Sequence, residues 1–256
     1  MSATETMTDD GDGLDATRLA RPLRWPLALL GAGAIFLLWG SYWGLFIAPP
    51  ERHMGDVMRI LYVHVPTAWN AMLTLTFAFV CAVMSLWRGS LAWDARLEAA
   101  MEVGVALSLL LCTQGSIWAR PTWGVWWDWD PRLTTTAIMI SAFAGVLALR
   151  RFVSDPVKRA TWSAAAAIVA SANVPLVYFS VRWWNSLHQL QSSPETVSVL
   201  FHWPLRINAF GVLFVMIALI SLRTRVAALR LQAELVPPPA EPLPAALAVA
   251  AAGGAR

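Results

Sequence analysis

The sequence predicts an all-α integral membrane protein with six transmembrane helices, both termini in the cytoplasm and a short tryptophan-rich loop on the far side. Three observations carry that prediction. Of the 256 residues, 57% are hydrophobic and 14% charged, with a mean hydropathy of +0.55; soluble domains run at about 45–50% apolar and about 25% charged. Six segments reach or approach the roughly 20 apolar residues that a helix needs to cross the hydrocarbon layer. The basic residues gather at alternate ends of those segments, which is a topological signal. The composition alone argues against a soluble enzyme domain, a disordered chain and a secreted disulfide scaffold.

Residues 1–22 form an acidic, polar leader (Glu5, Asp9, Asp10, Asp12, Asp15) that passes into Arg18, Arg21 and Arg24, and they read as disordered. The first apolar run, 25–47, exceeds the core of a cleavable signal, which spans about 7–15 residues. Ala48-Pro49-Pro50 is also a poor cleavage site, so this run reads as a signal anchor. The next segments, 65–87 and 99–118, are apolar on most faces. That disfavours a barrel, whose strands alternate, and suits helices, which satisfy their own backbone in lipid. Segment 134–149 is the shortest, and in 161–181 Asn173 and Pro175 mark a kink. After 203–222, residues 226–256 read as a disordered tail, rich in Pro and Ala from Pro237 onward. The membrane unit therefore spans 23–225.

Orientation follows from Lys and Arg near the helix ends. Arg18, Arg21, Arg24, Arg88, Arg96, Arg150, Arg151, Lys158, Arg159, Arg223, Arg225 and Arg230 fall on one side, against Arg52, Arg59, Arg120, Arg132, Arg182 and Arg206 on the other. The richer side is the cytoplasm. The net charge of +3 and pI near 9.3 are spread along helix ends rather than gathered in a patch, so nucleic acid is not a partner. The outer connections are then 48–64, 119–133 and 182–202, whereas the inner ones are short and chemically plain.

All four histidines, His53, His64, His188 and His202, lie on the outer side, with Trp123, Trp126, Trp127, Trp129, Trp183, Trp184 and Trp203. The loop 118–134 alone carries Trp118 and four more tryptophans, more than an interfacial belt requires. Trp123, Trp126 and Trp127 stand at i, i+3 and i+4, so on a surface helix they would share one face. With Arg120, Asp128, Asp130 and Arg132 around it, that face makes a flat apolar platform with cationic margins. Such a platform suits a planar aromatic ligand bearing carboxylates. His64 opens the second helix and His188 lies just beyond the fifth. A lone histidine at a helix end is usually solvated or capping. Two beside one tryptophan platform could clamp a haem iron as axial ligands. His53 and His202 read as structural.

Other chemistries lack support. Cys81 and Cys112 form no CxxC, zinc or CxxCH pattern, and both read as small core residues. The only lysine is Lys158, and no GxxxxGK[ST] exists, so the chain is not a P-loop ATPase. There is no HExxH or GxSxG. Ionisable residues within the spans are few, Glu102 being the main exception, so an ion path is poorly supported.

Trp123-Gly-Val-Trp-Trp-Asp-Trp-Asp-Pro-Arg-Leu-Thr134 resembles the tryptophan-rich WWD segment of haem-handling membrane proteins. Leu61-Tyr-Val-His-Val-Pro-Thr-Ala-Trp69 and Trp183-Trp-Asn-Ser-Leu-His-Gln189 resemble the two histidine motifs of one branch, the CcmC family of cytochrome c maturation system I. The resemblance covers roughly residues 20–225, with the three motifs in order on one predicted side. It implies a site at the periplasmic face of the inner membrane for haem b with oxidised iron, held as transported substrate between His64 and His188. Trp118, Trp123, Trp126, Trp127, Trp129 and Trp184 would supply the platform. Arg59, Arg120, Arg132 and Arg182 are the candidate propionate partners, and Asp130 serves the loop's architecture or a chaperone contact. Haem would pass to the periplasmic chaperone CcmE, which binds it covalently at a vinyl group. The ABC-type pair CcmA and CcmB would release the loaded chaperone using ATP, with the small membrane protein CcmD assisting. On this reading the chain is not a stand-alone enzyme. Asp128 and Pro131 depart from the family pattern and bear on the fine geometry of the loop, where Arg120 or Arg132 is available to Asp128. The alternatives are a haem lyase, disfavoured by short outer loops, and a haem-exporting permease, disfavoured by an inner half without histidine. A third, a purely structural subunit, would use the tryptophans as lipid anchors.

Overall fold

The computed structural model describes residues 22–189 and 197–235. The expected leader, apart from Pro22, and the expected tail beyond residue 235 lie outside the described residues. The elements are α1 (Arg24–Tyr42), continued by a π-helical turn (Trp43–Ile47), and α2 (Leu61–Arg88), entered through a 3-10 turn (Asp56–Ile60). Then come α3 (Leu91–Trp123), α4 (Pro131–Phe152), α5 (Pro156–Ser171), α6 (Asn173–Trp183) and α7 (His202–Leu235), the last entered through a 3-10 turn (Val199–Phe201). No strand occurs among the described residues, so the all-α expectation is met.

Local chemistry sets the boundaries. Asp130 and Asp155 are N-caps whose carboxylates accept from the Leu133 and Lys158 backbone N–H at 2.9 and 2.8 Å. Each is followed by proline at the first helical position, where its missing N–H costs nothing. That pair of signals starts α4 at Pro131, three residues before the apolar run begins. The kink expected near Asn173 and Pro175 is a break at Ala172 between α5 and α6.

Among the described residues, five helical stretches are long and apolar enough to cross a membrane: Arg24–Ile47, Asp56–Arg88, Pro131–Phe152, Pro156–Trp183 and Val199–Leu235. Six were expected. The missing one, 99–118, lies within α3, whose first turns carry Asp94, Arg96, Glu98 and Glu102. Yet α3 packs antiparallel along α2 over its length: it starts beside the end of α2 and returns so that Trp118 touches His64. A single buried cluster binds this hairpin to α4, α5 and α6 through Leu75, Ala78, Leu97, Met101, Phe143, Ala164, Ala167 and Val174. The alanines let the helices approach closely. On the other flank α1 lies along α7, with Gly33 against Val215 and Gly211.

The end where α2 finishes and α3 begins, expected to be the inner and chemically plain one, carries buried ion pairs. Arg150, buried, grips Asp94 with two bonds of 2.6 and 2.8 Å and Glu98 with one of 2.7 Å. Arg223 holds Glu102 through two bonds of 2.6 and 2.8 Å, so the ionisable residue noticed within a span is paired. Nor does the tail begin at 226. Helix α7 continues through 235 because Ala227, Ala228 and Leu231 bury themselves against Leu91, Ala95 and Ala160, and Arg159 pairs with Glu234 at 2.5 Å.

One buried amide repairs the helix that carries His64. Pro66 has no N–H to give to the carbonyl four residues back, that of Tyr62. The fully buried Asn208 of α7 donates its Nδ2 to that carbonyl at 2.8 Å. Asn208→Leu is expected to strand the carbonyl in an apolar layer, at a cost of about 1–3 kcal/mol. Thermal unfolding in detergent should show a lowered midpoint; an unchanged midpoint would mean that α2 needs no such donor.

Candidate functional site

At the end of the bundle where α2 begins and α3 finishes, α2, α3, α4 and α6 enclose a cavity of about 340 Å³. His64 and His188 both line it, although 124 positions separate them in the chain, with ring centroids 6.5 Å apart and planes 31° from parallel. Two imidazoles sharing one iron through bonds of about 2 Å place their centroids about 6 Å apart. The observed spacing fits that arrangement.

The two histidines are held differently. His64 is buried on α2, with Trp118 edge-on at 5.5 Å. A Cβ added at Gly115 would come within 3.1 Å of its Cε1, so the absent side chain on α3 makes room for the ring. His188 lies on the segment after α6, 6.5 Å from Trp123. Its Nδ1 pairs with the Gln189 carbonyl at 2.8 Å, which leaves Nε2 available as a ligand. Asp130 anchors this segment: while capping α4 it accepts hydrogen bonds from the Ser186 hydroxyl and, at 3.4 Å, from the His188 backbone N–H. Burial acts to raise the Asp130 pKa, but the bonds from Ser186, Leu133 and His188 outweigh it and hold it below the usual value.

Burial, then the charge of Arg132, pushes the His188 pKa below its ordinary 6.5, against the opposing pull of the Gln189 carbonyl and Asp130. Stability of the haem-free protein is therefore expected to fall as pH drops below 6.5, since the unfolded chain takes the proton first. A thermal midpoint in detergent that does not move as the pH is lowered through this range would contradict the burial of His188.

Among the described residues, four buried polar atoms around the cavity have no hydrogen-bond partner: His64 Nδ1, Trp118 Nε1, Trp127 Nε1 and an Arg132 guanidinium nitrogen. Such orphans call for an explanation, and a bound ligand with acceptor groups supplies one. Arg132 is the only arginine lining the cavity among the described residues.

The other arginines are engaged elsewhere. Arg59 donates to the carbonyls of Gly44 and Ala48 at 2.6 and 3.0 Å and pairs with Asp56. Arg120 donates to the Gly124 carbonyl, and Arg182 lies over the Tyr178 ring at 6.0 Å. The tryptophan loop is not a helix either. Gly124, at φ +80°, ends α3 one residue after Trp123. The tryptophans therefore part: Trp118, Trp123 and Trp127 line the cavity, while Trp126, Trp129 and Trp184 stand exposed outside it. His53 and His202 are outside too, His202 bonding the Val197 carbonyl at 2.8 Å.

Several lining residues went unnoticed in the sequence. On α2, His64, Ala68 and Met72 form a stripe four residues apart; on α3, Leu111, Gly115, Ala119 and Trp123 form another. The helical period could have found them once His64 and the tryptophans were fixed. Cys112, expected in the core, borders the cavity.

The family model described as haem exporter protein C (CcmC) matches residues 15–236. Proteins named haem exporter protein C are similar along most of their length. That of Bradyrhizobium diazoefficiens is 36% identical over 220 residues, covering 81% of this chain and 80% of its own. That of Haemophilus influenzae is 34% identical over 213 residues, covering 81% and 83%. That of Escherichia coli is 30% identical over 196 residues, covering 76% and 80%. Matched along the whole helical unit, both histidine segments included, this multi-pass membrane chain belongs to the haem exporter protein C family.

Proposed function

We propose that this chain binds haem at the periplasmic face of the inner membrane and hands it to the haem chaperone CcmE. The observation that carries the reading is the pair of imidazoles 6.5 Å apart at a cavity ringed by unpaired donors. His64 and His188 are the axial ligands. Trp118, Trp123 and Trp127 hold the macrocycle, and Arg132 takes a propionate. The cargo is haem b with oxidised iron, which two nitrogen ligands favour.

The topology of this reading has six crossings. Helix α3 is the sixth, since it runs antiparallel to α2 from the inner end to the cavity. Both termini are cytoplasmic, with the ion-paired Arg150, Arg159 and Arg223 on that side. The exposed Trp126 and Trp129 flank the mouth, where a periplasmic partner would approach. ATP hydrolysis falls to CcmA and CcmB, with CcmD completing the complex. A permease reading loses support because Leu75, Met101, Met139 and Phe143 fill the bundle below the cavity.

The test is transfer. The protein, loaded with haem in nanodiscs, is mixed with purified apo-CcmE and the acceptor is separated. Haem is expected on CcmE only from protein with both histidines. Equal transfer from the His64→Ala/His188→Ala double variant would overturn the assignment.

A further inference from the structure

We propose that haem reaches this cavity from within the bilayer, through a side opening between α2 and α6 bordered by Trp69 and Tyr178. The inference rests on the haem-binding reading and adds the path. Trp69, Leu73, Phe77 and Val80 stand at i, i+4, i+8 and i+11 on α2, and all are exposed, which makes them the lipid-facing stripe of that helix. Trp69, 39% exposed, also lines the cavity. Tyr178 on α6 does the same: it is 38% exposed and it borders the cavity. The cavity wall therefore breaks through to the lipid face at these two side chains.

The opening lies below the lip. Trp69 is five residues along α2 from His64, and Tyr178 is five residues before Trp183 at the end of α6, so each sits about 8 Å into the bundle at 1.5 Å per residue. α2 packs closely on α3 and α5 but meets α6 only over a short stretch. Beneath the opening, Leu75, Val174 and Val177 share the buried cluster and close the gap.

Polarity agrees with this path. Haem in a leaflet keeps its carboxylates at headgroup depth and its ring among the acyl chains. The cavity has the same order: Arg132 and the histidines lie at the lip, with Ala68, Met72 and Met139 beneath. Haem can slide in sideways without turning over.

The test uses full-length protein in liposomes that carry haem in their lipid, in a background with Cys81→Ala and Cys112→Ala. Single cysteines are placed by Trp69→Cys, Tyr178→Cys and, as a lipid-facing control outside the cavity, Leu73→Cys. Each is compared with and without a bulky maleimide, and the growth of the Soret band is followed. Labelling at 69 or 178 is expected to slow uptake about tenfold or more, while labelling at 73 leaves it unchanged. Haem loaded before labelling should keep its spectrum, which separates a blocked path from a damaged site. Uptake at the unlabelled rate in both labelled variants would overturn the path. Failure of every unlabelled variant to bind haem would instead overturn the haem-binding reading.

Discussion

Purified His188→Ala and His64→Ala proteins are each expected to lose the six-coordinate haem spectrum and to bind haem more weakly by over 100-fold. Removing an outer-shell partner of a metal ligand already costs about 10–100-fold, and removing the ligand costs more. The variants should differ in how they recover. His64 is buried on α2, with Trp118 beside it and Gly115 opposite, so its loss leaves a walled space of imidazole size. Added imidazole should enter that space and restore the six-coordinate spectrum of His64→Ala. His188 stands on a segment outside any helix, and its loss leaves no comparable slot, so rescue there should be weaker. Wild-type affinity in both variants would refute the ligand pair.

Asp130→Asn separates the cap from the anchor. Asparagine can still accept from the Leu133 N–H, so the start of α4 is preserved. At the other oxygen an amide NH₂ replaces an acceptor, and the bonds from Ser186 and from the His188 N–H are lost. The variant should unfold at the wild-type midpoint yet bind haem about 10–100-fold more weakly. Its spectrum should contain a mixture of five- and six-coordinate iron. Asp130→Ala should add a stability loss of about 1 kcal/mol from the cap. Wild-type haem affinity in Asp130→Asn would show that His188 is placed without this carboxylate.

What could be read from the chain follows from the range of the forces involved. Apolar runs are local, so the helices were legible. So was the family, through three short motifs. The meeting of His64 with His188 was plausible from a shared side, but its distance depends on how α2, α3 and α4 pack. The i, i+3, i+4 spacing of the tryptophans does not make a helix, because it spans Gly124, where the chain turns to φ +80°. The four arginines could not be ranked by residue type. Backbone carbonyls hold Arg59 and Arg120, an aromatic face holds Arg182, and only Arg132 keeps an unpaired nitrogen at the cavity. The role of Asn208 was invisible because Pro66 and its repair lie 142 positions apart. The ion pairs at the opposite end of the bundle were hidden likewise, since Asp94 finds Arg150 only when α3 and α4 come together.

The central claim is that two imidazoles from this chain, those of His64 and His188, share one iron in the cavity between α2, α3, α4 and α6. Low-temperature electron paramagnetic resonance of the ferric, haem-loaded protein in nanodiscs tests it most directly, with His64→Ala and His188→Ala beside it. The account predicts a low-spin signal of two nitrogen axial ligands that turns high-spin in both variants. A high-spin wild type, or a low-spin signal unchanged in either variant, would contradict it.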